Sequence, residues 1–173
     1  MAVVTTLGSA AVVHAIPTDA LYSILLLLHV GCAVIGFGAL ALTGVQARRA
    51  RRGPTAPGSD GVRRFFEPGV NWAGRALYGV PLFGFALIAA SQGDFSTNDG
   101  FVVIGLGLWA LSALAAEAVV WPGERRIQQV VSNGWEMTGG PGGFVSDCRR
   151  VCASAFGLSI VFVAAVVLMV ARP

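Results

Sequence analysis

Three ionisable side chains fall inside long apolar stretches of this 173-residue chain: His29, Arg75 and Glu117. Placing such a group in hydrocarbon costs at least ~2.5 kcal/mol, so each one marks either a function or a partner. A neutral imidazole can ligate haem iron or bridge two helices by hydrogen bonding. Paired histidine ligation would call on His14, the only other histidine, which precedes Pro17. His14 would have to fold back ~14 Å into the membrane to share a site with His29. Cys32 adds at most a second ligand, short of a metal site. The expectation for His29 is therefore a hydrogen bond between helices, with haem binding as the alternative and no metal. Glu117 and Arg75 are expected at one depth, where a salt bridge is the simplest arrangement and a proton-handling Glu117 the alternative. No Ser-His-Asp order, HExxH pair or paired carboxylates occur, so no catalytic residues are assigned.

These groups must be carried by membrane helices. A hydrocarbon core of ~30 Å needs about 20 apolar residues, and four stretches have roughly that length. They read Ala20–Gln46, Gly74–Ser91, Gly100–Trp121 and Val151–Ala171. Runs such as Ser23–Gly44 and Ser159–Val170 lack the polar face of a soluble amphipathic helix. The second stretch contains Pro81, tolerable where neighbouring helices satisfy the carbonyl that proline frees. The fold class expected is all-α: one transmembrane domain spanning residues 1–173, with four helices in an up-down bundle.

Charge sets the expected orientation. All 12 basic residues are arginine. The first loop holds Arg48, Arg49, Arg51, Arg52, Arg63 and Arg64, and the third holds Arg125, Arg126, Arg149 and Arg150. The second loop has only Asp94 and Asp99. The positive-inside rule then puts loops one and three in the cytoplasm and both termini outside. The six arginines of loop one are expected to contact anionic head groups, each contributing about 1 kcal/mol near the surface. Nucleic acid is not an expected partner, because the basic run is short and has no folded platform. This loop, rich in Gly, Pro and Ser, is expected to be mobile, with Phe65, Phe66 and Trp72 as interfacial anchors and Trp121 as another. Met1–Ile16 reads as an arm at the outer surface. Gly139-Gly140-Pro141-Gly142-Gly143 lacks the Gly-Lys-Ser/Thr ending of a phosphate loop and is expected to be a turn. Small residues at Cys32/Gly36 and Ala153/Gly157 predict close helix contacts. The three cysteines, Cys32, Cys148 and Cys152, read as small apolar fillers.

The first span, with Leu26-Leu27-Leu28-His29-Val30, then Gly36 and Gly38, closed by Arg48-Arg49, resembles the opening helix of a family of small bacterial integral membrane proteins of unknown function. That family is distantly similar to the copper-resistance-D and HemJ-type protoporphyrinogen oxidase membrane proteins. The likeness extends to Arg75–Ile88 and to the third span ending in Trp121-Pro122-Gly123-Glu124-Arg125-Arg126. In the HemJ-type proteins the resemblance implies a haem ligand at the position of His29 and an essential lysine on a later helix. This chain contains no lysine, so the resemblance carries the fold and not the reaction.

The function expected is that of a non-catalytic accessory or assembly subunit of a larger bacterial inner-membrane complex, such as a respiratory one. Its partners would be lipids and other membrane subunits or further copies of itself. The alternative is a small haem-binding, redox or proton-coupled protein using His29 and Glu117.

Overall fold

The computed structural model describes residues 18–91, 93–135 and 141–171, and all regular structure among them is helical. The arm Met1–Ile16 with His14, and Gly139-Gly140, lie outside the described residues. Seven helices appear: α1 (Thr18–Ala50), α2 (Ser59–Phe65), α3 (Trp72–Arg75), α4 (Gly79–Ala90), α5 (Gly100–Ala115), α6 (Trp121–Ser132) and α7 (Pro141–Ala171). A 3₁₀ turn, Ala76–Tyr78, joins α3 to α4, and a π turn, Ala116–Val120, joins α5 to α6. Four continuous stretches are long and apolar enough to cross a membrane: Ala20–Ala50, Trp72–Ala90, Gly100–Ser132 and Gly142–Ala171. The chain is a multi-pass, all-helical membrane protein.

Three of the four long helices extend past the apolar stretches read from sequence, and all three do so at the end that carries the loop arginines. α1 has 33 residues, about 50 Å at 1.5 Å each, well beyond a ~30 Å hydrocarbon core. α5 runs on through the π turn into α6, and α7 begins ten residues before Val151. Pro141 opens α7, where a missing N–H costs nothing, and Gly142 and Gly143 are helical. The turn expected at Gly139–Gly143 is thus corrected for its last three residues. Pro122 accounts for the π turn. It offers no N–H to the carbonyl of Ala118, and its ring crowds that carbonyl, so the preceding turn widens.

The helices follow one another around the bundle. α1 packs on α4 and α7, α5 packs on α7, and the seam between α4 and α5 is sparse. Burial is concentrated at the arginine end. Leu40, Phe66, Ile127, Val131, Cys148 and Val151 are fully enclosed there. In the other half no residue of Ala20–Ile35, Gly79–Ala90, Gly100–Leu111 or Ser159–Ala171 is buried. The two halves therefore differ in kind: a packed base, and an apolar top in which the helices touch but bury no residue.

Small residues decide where the helices touch. A Cβ on Gly36 would come within 2.7 Å of the Leu77 backbone nitrogen, so α1 and the 3₁₀ turn meet backbone to backbone there. Cys32 packs against Gly79 one turn away. On the last helix the expected Ala153/Gly157 contact is not made. Both residues are exposed, and Ala155, pressed against Gly44, and Val151, pressed against Gly123, take that role.

Loop one departs from expectation. Its second half folds into α2, and Phe66 is wholly buried with Val62 in the base of the bundle, while Phe65 packs edge-on against Phe66. Two bulky apolar side chains outweigh the Gly/Pro-rich run Gly53–Ser59 and anchor the loop. Phe66 is thus a core residue and not an interfacial anchor. Trp121, 4% exposed, is corrected in the same way, whereas Trp72 is 77% exposed.

Candidate functional site

Arg75 and Glu117 meet at the arginine end of the α4–α5 seam. Arg75 sits at the end of α3, and Glu117 sits in the π turn. An Arg75 Nη1 donates to Glu117 Oε1 at 3.2 Å. The hydroxyl of Tyr78 donates to the same oxygen. Tyr78 follows Arg75 by one helical turn, so both reach toward the third span from one face. The guanidinium lies over the ring of Trp121, 3.7 Å from its centroid, a stacking that favours arginine over lysine. The Glu117 side chain remains 52% exposed and that of Arg75 26%. The cluster thus faces outward from the bundle.

A second polar group lies behind it and was not singled out in the sequence. Asn71 caps α3, its Oδ1 accepting from Gly74 N at 3.1 Å. Its Nδ2 donates to Thr43 Oγ1 at 3.3 Å and to Glu124 Oε1 at 3.2 Å. Thr43 is fully buried and Glu124 nearly so. One asparagine therefore ties the first, second and third spans together. The signal was present in Asn71-Trp72-Ala73-Gly74, a capping residue three positions before a free backbone N–H. Arg75, Trp121, Glu124 and Gln128 line a crevice of about 30 Å³ beside it.

His29 is placed 51 residues from its partner in sequence. Its Nδ1 hydrogen-bonds the carbonyl of Val80 at 2.9 Å, linking α1 to α4. Because a carbonyl only accepts, Nδ1 is the donor in this bond, which leaves Nε2 as the ring nitrogen outside it. The ring lies along Gly84, where a Cβ would sit 3.4 Å from it. Cys32 is not drawn to His29 but faces Gly79. Among the described residues no three His, Cys, Asp or Glu side chains gather as a metal would require.

The six loop-one arginines, Arg48, Arg49, Arg51, Arg52, Arg63 and Arg64, are all exposed at the base. Arg63 and Arg64 line an open cavity of about 320 Å³ shared with Asp60 and Glu67, so its charge is mixed. Arg126 pairs with Asp147 at 3.2 Å and joins α6 to α7. Comparison with protein-family models, with curated proteins and with solved structures gave no match.

Proposed function

We propose that the chain is a non-catalytic accessory or assembly subunit of a larger complex in a bacterial inner membrane, with the arginine end in the cytoplasm and both termini outside. The observation that carries this reading is the exposed apolar surface of the top half. No residue of α4 is buried, and Tyr78, Leu82, Phe85 and Ala89 line up outward on one stripe. The polar groups of the spans are meanwhile engaged: His29 with the Val80 carbonyl, Asn71 with Thr43 and Glu124, Arg75 with Glu117. Such a molecule offers exposed apolar surface along its spans for packing. Basic loops on one side support the orientation.

The test is extraction from native membranes into lipid discs, with cross-linking and mass spectrometry. A stoichiometric companion cross-linked through Leu82 or Phe85 is expected, and Leu82→Trp should weaken its retention. Recovery of this chain alone from every gentle extraction would overturn the reading.

A second reading, a haem-binding or proton-coupled protein, draws on one observation. The Nδ1–H of His29 is held by a backbone carbonyl, the arrangement that orients a histidine for ligation through Nε2. A Soret band in the purified protein that vanishes in His29→Ala would put this reading first.

A further inference from the structure

We infer that the Arg75–Tyr78–Glu117 patch is the centre of a two-fold interface between two copies of this chain. Both bonds given to Glu117 fall on one oxygen, Oε1, while half of the side chain stays exposed. Arg75 has five N–H donors, of which one nitrogen is engaged with Glu117. The patch is thus a neutral pair that keeps a second carboxylate oxygen and further guanidinium N–H groups available on an outward face. A two-fold axis along the membrane normal preserves depth. Arg75 and Glu117 already lie at one depth, being in contact, so the rotation brings each to the level of its opposite in the second copy. Two arginines and two glutamates then alternate in a ring, the arrangement in which a surface complements itself. A patch of single sign would instead need a different partner.

The surrounding surface fits. Leu114 is 67% exposed and lies one turn from Glu117 on the same side of the third span. Leu82, one turn beyond Tyr78 on α4, is also exposed. The sparse α4–α5 seam between them gives the second copy apolar contact above the charged centre. This inference shares with the proposed function the premise that protein covers the exposed stripe of Tyr78 and Leu82, but it requires no companion of another kind. It is tested on the purified chain alone, so its failure leaves the heteromeric reading standing.

The experiment is charge reversal with mixing. Wild type in lipid discs is expected to be dimeric by native mass spectrometry. Glu117→Arg and Arg75→Glu should each weaken self-association by about tenfold or more. An equimolar mixture of the two variants should form the mixed dimer in preference to either homodimer. Undiminished dimerisation of Glu117→Arg, or a monomeric wild type at every protein-to-lipid ratio, would overturn the proposal. Should the reversals fail to fold, Leu114→Cys in membranes decides it with a short bismaleimide. Cross-linking well above wild type, and above Leu27→Cys on the exposed face of α1, is expected. Cross-linking no higher than either control would refute it.

Discussion

The indole Nε1 of Trp109 donates to the carbonyl of Leu77 at 2.9 Å, the carbonyl that Pro81 leaves without its helical donor. A helix carrying proline in a membrane has to satisfy that acceptor from outside, since lipid offers no hydrogen bond. Here the third span supplies it to the second. Trp109→Phe should therefore cost ~1–3 kcal/mol of detergent stability. Pro81→Ala returns a backbone N–H to Leu77, so the same Trp109→Phe change should cost clearly less in that background. Equal costs in both backgrounds, measured by thermal unfolding, would show that the two residues do not share one acceptor.

The salt bridge between Arg75 and Glu117 lies near the surface and is half exposed, so its contribution belongs with interfacial pairs at ~0.2–1 kcal/mol and not with buried ones. Glu117→Gln and Arg75→Gln should each lower stability modestly. The double variant should lose less than the sum, because each single change strands one charge. Strict additivity in the cycle would argue against the pair. Glu117 would then stand alone, and the proton-coupled reading would gain.

Gly36 and Gly38 are two residues apart on α1 and should behave oppositely. A methyl on Gly36 meets the backbone of Leu77 and Ala76, which cannot swing aside, whereas one on Gly38 meets nothing within 4 Å. Gly36→Ala is expected to cost ~1–3 kcal/mol through overpacking. Gly38→Ala should be neutral or gain up to about 1 kcal/mol from helix propensity. Equal behaviour of the two in a melting assay would refute the close approach of α1 to the 3₁₀ turn.

Thr55 and Thr97 lie exposed in the connections at opposite ends of the bundle. In whole cells, an impermeant maleimide should label Thr97→Cys and leave Thr55→Cys untouched until the membrane is opened. The reverse pattern would invert the proposed topology.

Much of this architecture could be read from the chain because the hydrocarbon core imposes a length on any helix that crosses it. The four apolar stretches met that length, and Arg75 and Glu117 could be placed at one depth by counting residues. What escaped was set by contacts across space. Phe66 read as an interfacial anchor, but it joins the same core as Ile127 and Val131, which no local pattern reveals. Glu124 adjoins Arg125 and Arg126 in the chain, and its burial goes with the hydrogen bond from Asn71, more than fifty positions away. The Ala153/Gly157 pair had the right spacing on the wrong side of α7, since spacing defines a face but not which neighbour it meets.

Pro122 has an effect that reaches beyond its own turn. The widened coil at Ala116–Val120 holds about one residue more than a regular α-turn, and one residue is about 100° of azimuth. It therefore acts as a phase shifter in a shaft that is otherwise continuous from Gly100 to Ser132. Upstream, the shaft presents Ser112 and Ala113 inward; downstream, the same continuous shaft presents Glu124, Ile127 and Val131. Rewinding these five residues as regular α-helix, with none removed, would turn the whole basal segment by about 100° about its axis. Ile127 and Val131 would swing out of the core, and Glu124 would swing away from Asn71. Removing one residue from Ala116–Val120 would instead take out the extra one and leave the two segments in phase, so a deletion here is predicted to do less harm than the same deletion elsewhere in the shaft.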